Sequence, residues 1–222
     1  MELHLRPVYQ KDQSVMTNWL PRVILFIVAG AGCVGALHYA TGHFKPERQI
    51  ILLNRTRPDF HDLLHFEKQE TSEPLSRQSL KEYFDYFRLV TEAMPQNSDG
   101  KLMLGYLYQI TGQPLRAGAY LKEAHRLEER FFFTEFNLGV LFYDQGQYAK
   151  SAEYLKQALV IPPQETLGRM MNSVVYRQIL ASSDDSADLV AGLRQAYHDA
   201  YIILELDLQG ARVDTKIHAH IV

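Results

Sequence analysis

Two stretches of this chain decide its fold: LGYLYQITGQPLRAGAYLKEA at residues 104–124 and LGVLFYDQGQYAKSAEYLKQA at residues 138–158. The second begins 34 residues after the first, and this offset holds along both stretches without a gap. Residues identical in the two include Leu104, Gly105, Gly112, Gln113, Leu121, Lys122 and Ala124, which recur as Leu138, Gly139, Gly146, Gln147, Leu155, Lys156 and Ala158. An ungapped internal period of this length indicates stacked copies of one structural unit.

Each copy has the pattern of two helices joined by a glycine. A Leu-Gly pair in the first helix lets a neighbouring helix come close, because glycine has no Cβ. Gly112 and Gly146 fall where the first helix ends and where a left-handed backbone is needed. Small residues in the second helix allow it to cross the first tightly, and they are Ala117, Ser151, Ala124 and Ala158. The pattern therefore predicts two pairs of antiparallel helices.

This 34-residue unit resembles the tetratricopeptide repeat, a helix–turn–helix module that stacks into an α-solenoid. Pro163 stands at the position of the family's closing proline, whereas the first copy has Glu129 there. The resemblance is carried by residues 99–163 and extends more faintly over 76–206. In that extension, residues 166–181 are predicted to be a third first helix, and 187–206 its partner.

The fold class is predicted to be all-α, with a short solenoid of two clear repeats plus degenerate flanking helices. The predicted segments are an N-terminal tail at 1–18, a transmembrane helix at 19–40, a linker at 41–75, the repeat-like helical domain at 76–206, and a C-terminal tail at 207–222. Apolar and polar residues alternate over 213–221 in that tail, and a period of two favours a strand. Such a strand could join the sheet of another protein, with a disordered tail as the alternative.

The predicted membrane helix rests on residues 23–37, VILFIVAGAGCVGAL, which contain no charged side chain. Residues 19–40 would span about 33 Å as a helix, which is about one bilayer core. Trp19 and Tyr39 lie near its two ends, where aromatic rings prefer the headgroup region. Small residues four apart could let a second membrane helix approach closely, and they are Ala31, Gly32, Gly35 and Ala36.

Two other interpretations of this segment stay open. A cleaved signal peptide would use the small residues at 34–36 as its cleavage site. A nucleotide-binding enzyme would use Gly30-Ala31-Gly32-Cys33-Val34-Gly35, which matches G-x-G-x-x-G but lacks the expected acidic residue and strand–helix alternation downstream. Basic residues flank the membrane segment almost equally, three before it and four after it, so their count sets no orientation. A short basic tail before one apolar segment resembles a signal anchor, which would place the helical domain on the non-cytoplasmic, periplasmic-type side.

The resemblance also implies a binding surface, because the family generally holds a partner segment on the concave face lined by the first helices. Carried onto this sequence, the concave positions are Leu102, Met103, Tyr106, Gln109, Phe133, Phe136, Asn137, Val140, Tyr143, Met170, Met171, Val174 and Arg177. This largely apolar and aromatic set would suit an amphipathic helix or an extended hydrophobic peptide. The alternative is that residues such as Phe133 and Met170 pack against adjacent helices of the chain.

The remaining observations limit the function class. With 23 basic and 26 acidic residues, the net charge of −3 gives no electrostatic case for nucleic-acid binding. His61 and His65 are one helical turn apart, but no third metal ligand is evident, and no catalytic constellation is found. We therefore predict a non-enzymatic, membrane-anchored scaffold or assembly adaptor without cofactor or metal, whose partners are subunits of a membrane protein complex. The alternative is an integral accessory subunit of such a complex.

Overall fold

A computed structural model describes residues 53–68, 74–182, 186–209 and 220, and the regular secondary structure in these ranges is helical. A helical turn at 53–56 precedes the longer helices. These are α1 (His61–Lys68), α2 (Arg77–Ala93), α3 (Ser98–Ile110), α4 (Pro114–Leu127), α5 (Phe132–Asp144), α6 (Tyr148–Val160), α7 (Pro163–Asn172), α8 (Val174–Leu180) and α9 (Ser186–Gln209). The predicted all-α class is confirmed for this part of the chain.

Several predicted features lie outside the described residues. They include the membrane segment at 19–40 with its small residues Ala31, Gly32, Gly35 and Ala36, and therefore the glycine motif as well. None of the helices in the described ranges is both long enough and apolar enough to cross a membrane. Of the alternating residues at 213–221, only His220 is described, and it is not part of a strand.

The two copies of the repeat form the predicted hairpins, α3–α4 and α5–α6. Each turn contains a glycine with left-handed backbone, with φ of 69° at Gly112 and 71° at Gly146. The backbone N–H of Gln113 donates to the carbonyl of Tyr108 at 2.8 Å, and the equivalent bond in the second turn is 2.9 Å. These bonds satisfy carbonyls that would otherwise have no partner at the helix end. The predicted role of both glycines is thereby confirmed.

The Leu-Gly pairs bring the two helices of each hairpin into close contact. A Cβ added at Gly105 would lie 2.7 Å from Leu121 side-chain atoms, and one added at Gly139 would lie 2.6 Å from those of Leu155. Both leucines are fully buried. These distances are shorter than any carbon–carbon contact that van der Waals packing allows. The glycines are therefore a packing requirement of the hairpins.

We expect Gly139→Ala to lower the free energy of unfolding by about 1–3 kcal/mol, because the new methyl group overpacks the buried contact with Leu155. The effect should appear as a lower urea midpoint by far-UV circular dichroism. The control is Gly168→Ala, since Gly168 lies in α7 with nothing within 4 Å of an added Cβ. That substitution should stabilise the protein by about 0.5–1 kcal/mol through helix propensity. Equal effects at the two sites would contradict the packing argument.

The third unit differs from the prediction. Residues 166–181 do not form one first helix, because α7 and α8 are separated at Ser173, which has an extended backbone and caps α8 by accepting the Tyr176 N–H. Instead, α9 lies against α6 and α5, just as α5 lies against α4 and α3. The ring of Tyr197 in α9 stacks on Phe132 with centroids 3.8 Å apart. Thus α9 occupies the place of a third first helix, and α7–α8 is an insertion before it.

Residues before α2 also contribute to the core, although they fall within the stretch assigned to the linker. Phe60 is fully buried, and its ring centroid lies 5.4 Å from that of Tyr83 and 5.5 Å from that of Phe87. Its backbone N–H donates to Ser182 Oγ at 3.1 Å, just after α8. This segment therefore joins the first helices of the domain to the end of the α7–α8 insertion.

Candidate functional site

The concave positions carried over from the repeat family lie mostly inside the packed chain. Those that are buried are Leu102, Met103, Tyr106, Phe133, Phe136, Asn137, Val140, Tyr143 and Met170. Gln109 and Val174 are partly buried, whereas Met171 and Arg177 are exposed. The α3 and α5 helices that carry most of these residues are in contact with each other. Partner binding by this set stays a prediction.

The α8 helix covers one part of this concave face. The Tyr176 ring lies with its centroid 5.5 Å from Phe131 and 6.4 Å from Phe133, and α8 also contacts α3. Tyr176 and both phenylalanines are buried. The family resemblance implied a partner-binding surface at these positions, with packing against adjacent helices as the alternative. The α7–α8 insertion supplies the apolar partner that a further repeat would otherwise have supplied.

A partly buried ionic cluster fastens this insertion to the first repeat. In α7, Arg169 Nη2 donates to Asp99 Oδ1 at 2.6 Å and to Ser98 Oγ at 3.1 Å, while Nε donates to Glu128 Oε1 at 2.6 Å. A further short bond joins Arg169 Nη2 to the second oxygen of Glu128. Ser173 Oγ donates to Asp99 Oδ2 at the point where α7 meets α8. The middle of the α7–α8 insertion is therefore anchored at the start of α3.

One guanidinium, that of Arg169, serves two carboxylates in this cluster. Burial alone would lower the pKa of Arg169, but Glu128 and Asp99 hold that pKa above its usual range. Burial alone would likewise raise the pKa of Glu128, yet hydrogen bonds from Arg169 and Ser98 keep it below its usual value. The guanidinium carbon also lies 4.5 Å from the centroid of the Phe131 ring, within range of a cation–π interaction. The Arg169 guanidinium therefore compensates two carboxylates, and its removal would leave the buried Asp99 without a charge partner.

At the second repeat, the concave face holds a piece of polypeptide backbone. Asn137 Nδ2 donates to the carbonyl of His220 at 2.7 Å, and the His220 N–H donates to Asn137 Oδ1 at 3.0 Å. The His220 Nε2 lies 3.1 Å from Asp199 Oδ2 in α9, and its ring centroid lies 5.6 Å from that of Phe136. Asn137 is fully buried, and His220 is 7% exposed. Asn137, Phe136 and Asp199, which we call the Asn137 pocket, thus enclose one residue of the C-terminal tail.

The Asn137 amide is suited to bind a peptide independently of its sequence. One side-chain amide supplies both a donor and an acceptor, and every residue except proline has a matching N–H and C=O on its backbone. The Asp199 carboxylate and the Phe136 ring then distinguish the side chain of the bound residue. Sequence reasoning placed Asn137 on the concave face but missed Asp199 and assigned no role to His220, because residues 83 positions apart have no local pattern in common.

The model of one known protein family matches part of the chain that forms this site. A family model described as the tetratricopeptide repeat matches residues 136–165, which include most of α5, all of α6 and the first residues of α7. No curated protein matches the chain. The match covers most of the second hairpin, so this part of the chain is similar to a tetratricopeptide repeat. Such a repeat suggests a protein–protein interaction adaptor.

Proposed function

We propose that this protein is an adaptor whose Asn137 pocket holds an extended segment of a partner protein. The supporting observation is the pair of hydrogen bonds between the Asn137 side chain and the backbone of His220. Both polar groups of that backbone are satisfied within a buried apolar surface, where an unpaired amide would cost about 1–3 kcal/mol. A partner segment that places a residue there would gain the same two bonds.

The surroundings favour an extended segment over an amphipathic helix. Residues inside a helix use their backbone N–H and C=O groups within the helix, so both groups would not be free to bond with Asn137. The pocket wall adds an aromatic ring from Phe136 and a carboxylate from Asp199. A histidine or another side chain with a polar N–H donor therefore fits best at this position.

The proposed adaptor is anchored in a membrane and assembles a membrane protein complex. Support comes from the apolar residues 23–37, with Trp19 and Tyr39 near the ends of the segment. Alkaline carbonate extraction of cell membranes tests the anchor, since an integral protein stays in the membrane pellet. Recovery of the intact chain in the supernatant would remove this part of the proposal.

Partner capture tests the pocket itself. The full-length chain would be purified in mild detergent as wild type, Asn137→Ala and Asn172→Ala, and the bound proteins quantified by mass spectrometry. We expect a set of partners that Asn137→Ala depletes about tenfold, since losing two buried hydrogen bonds costs more than 1.4 kcal/mol. Asn172→Ala changes an exposed residue at the end of α7 and should retain them. Identical partner sets for the three proteins, with unchanged circular dichroism spectra, would refute binding at the pocket.

The same purification distinguishes the second candidate, an accessory subunit held permanently in a membrane complex. Its motivation is the set of small residues in the apolar segment, which would suit packing against another membrane helix. A subunit should copurify with its neighbours at fixed stoichiometry whether or not Asn137 is present. An adaptor should lose its partners when the pocket is changed.

A further inference from the structure

We infer that His220 is a tethered ligand that masks the Asn137 pocket, so a partner segment has to displace the chain's own C-terminal residues. This inference rests on the proposed function, because it takes the Asn137 pocket as the place where partners bind. It adds a regulatory step to that function. Partner affinity is then set by competition with a segment that never leaves the molecule.

The contacts of His220 use each recognition element of the pocket. Asn137 bonds its N–H and its C=O, Asp199 faces its imidazole nitrogen, and Phe136 lies against its ring. With His220 in place, the Asn137 side chain has no exposed surface. An incoming backbone cannot reach the amide while His220 stays bound. Occupation by the tail and by a partner are therefore mutually exclusive.

His220 competes strongly for the pocket because a short stretch of chain connects it to α9. His220 is 220 − 209 = 11 residues beyond Gln209, the last residue of α9, and α9 itself carries the Asp199 wall of the pocket. A short tether of this kind holds a ligand at an effective concentration on the order of 1 mM. If the tail's own intrinsic Kd for the pocket is about a tenth of that value or less, the apparent affinity of any free segment is reduced at least about tenfold.

A labelled peptide with the sequence of residues 211–222, ARVDTKIHAHIV, provides the test. Its binding to the full-length chain would be followed by fluorescence anisotropy for wild type, His220→Pro and Thr215→Pro. Proline at 220 removes both the N–H donor and the imidazole from the tethered segment, and so opens the pocket. We expect His220→Pro to bind the peptide at least about tenfold tighter than wild type. Thr215→Pro makes the same change elsewhere in the tail and should resemble wild type.

Variants of the peptide keep the test independent of protein folding. Added to the His220→Pro chain, a peptide that itself carries His220→Pro should bind at least about tenfold more weakly than the unchanged peptide, whereas a Thr215→Pro peptide should still bind. Equal binding to the wild-type and His220→Pro chains would overturn the inference, and so would a peptide that binds neither. A wild-type dimer in sedimentation that His220→Pro converts to a monomer would also overturn it, since the tail would then occupy a second copy.

Failure of this inference can be distinguished from failure of the proposed function. The peptide experiment could show that His220 masks the pocket while partner capture finds no partner that depends on Asn137. These two results together would support the tail contact and reject the adaptor proposal. Partner capture that depends on Asn137, together with equal peptide binding by the wild-type and His220→Pro chains, would keep the adaptor and reject the tethered ligand. The peptide experiment contains no partner, so the two results are obtained separately.

Discussion

Replacing Arg169 with methionine is expected to lower the free energy of unfolding by about 3–5 kcal/mol, the cost of leaving a buried charge without its partner. The Asp99 side chain is only 2% exposed, and it would lose its pairing with the guanidinium. Glu128 would lose its charge partner as well. Methionine preserves much of the volume and the apolar stem, so the loss reports on the charge. Urea unfolding followed by far-UV circular dichroism measures it.

Two further variants make this result specific. Arg194→Met changes an exposed arginine of α9 and should shift stability by no more than about 0.5 kcal/mol. The double variant Asp99→Leu with Arg169→Met also removes the buried carboxylate and should recover much of the loss, because the carboxylate that remains, Glu128, has a side chain that is 32% exposed and can be hydrated. A double variant less stable than Arg169→Met alone would show that the unpaired charge of Asp99 is not the cause.

The loss caused by Arg169→Met should also depend on pH. The pKa of Glu128 is lowered in the folded protein, so its contribution to stability is present above the carboxyl's ordinary pKa. That contribution disappears as the pH falls through the lowered value. The difference between wild type and Arg169→Met should therefore shrink below about pH 4. A difference that stays constant down to the acid limit of folding would contradict the assigned role of the ion pair with Glu128.

The second large effect is expected for Phe133→Ala, which should cost about 3–5 kcal/mol of unfolding free energy. Phe133 is fully buried, and its ring centroid lies 5.2 Å from that of Phe132 and 5.8 Å from that of Phe131. Truncation removes these contacts and leaves a cavity beneath Tyr176. If Phe133 lined an open surface groove instead, the substitution would cost less. The phenylalanine ring would already be exposed to water there, so alanine would simply reduce the exposed apolar area.

Chemical denaturation measures the Phe133 effect, with Leu115→Ala as the matched control. Leu115 is 89% exposed in the first turn of α4, so its truncation should change stability by no more than about 0.5 kcal/mol. A loss below about 1 kcal/mol for Phe133→Ala would indicate that the α8 helix does not cover this position in solution. The measurement thus separates the two interpretations that the sequence left open for the concave phenylalanines.

The repeat hairpins were predictable because the information that specifies them is local. Gly112 and Gly146 sit at their turns with φ near 70°, and Gly105 and Gly139 lie against leucines only 16 residues further along the chain. Helical periodicity and small residues encode such neighbours directly. The third unit was not predictable in the same way. Ser173 interrupts the helix there because its hydroxyl bonds with Tyr176 and with Asp99, and the second of these contacts spans 74 residues.

The 34-residue spacing alone was sufficient to establish a helical repeat, its hairpins and the glycine contacts within them, because each depends on neighbours within one unit. Which residues cover the concave positions could not be predicted from this spacing, because it is decided by contacts between distant parts of the folded chain. Tyr176 covers Phe133, Arg169 reaches Asp99 across 70 residues, and His220 meets Asn137 across 83. Contacts between residues so far apart in the chain produce no periodic pattern in the sequence. They depend on side chains whose shapes and charges are complementary once the helices have packed.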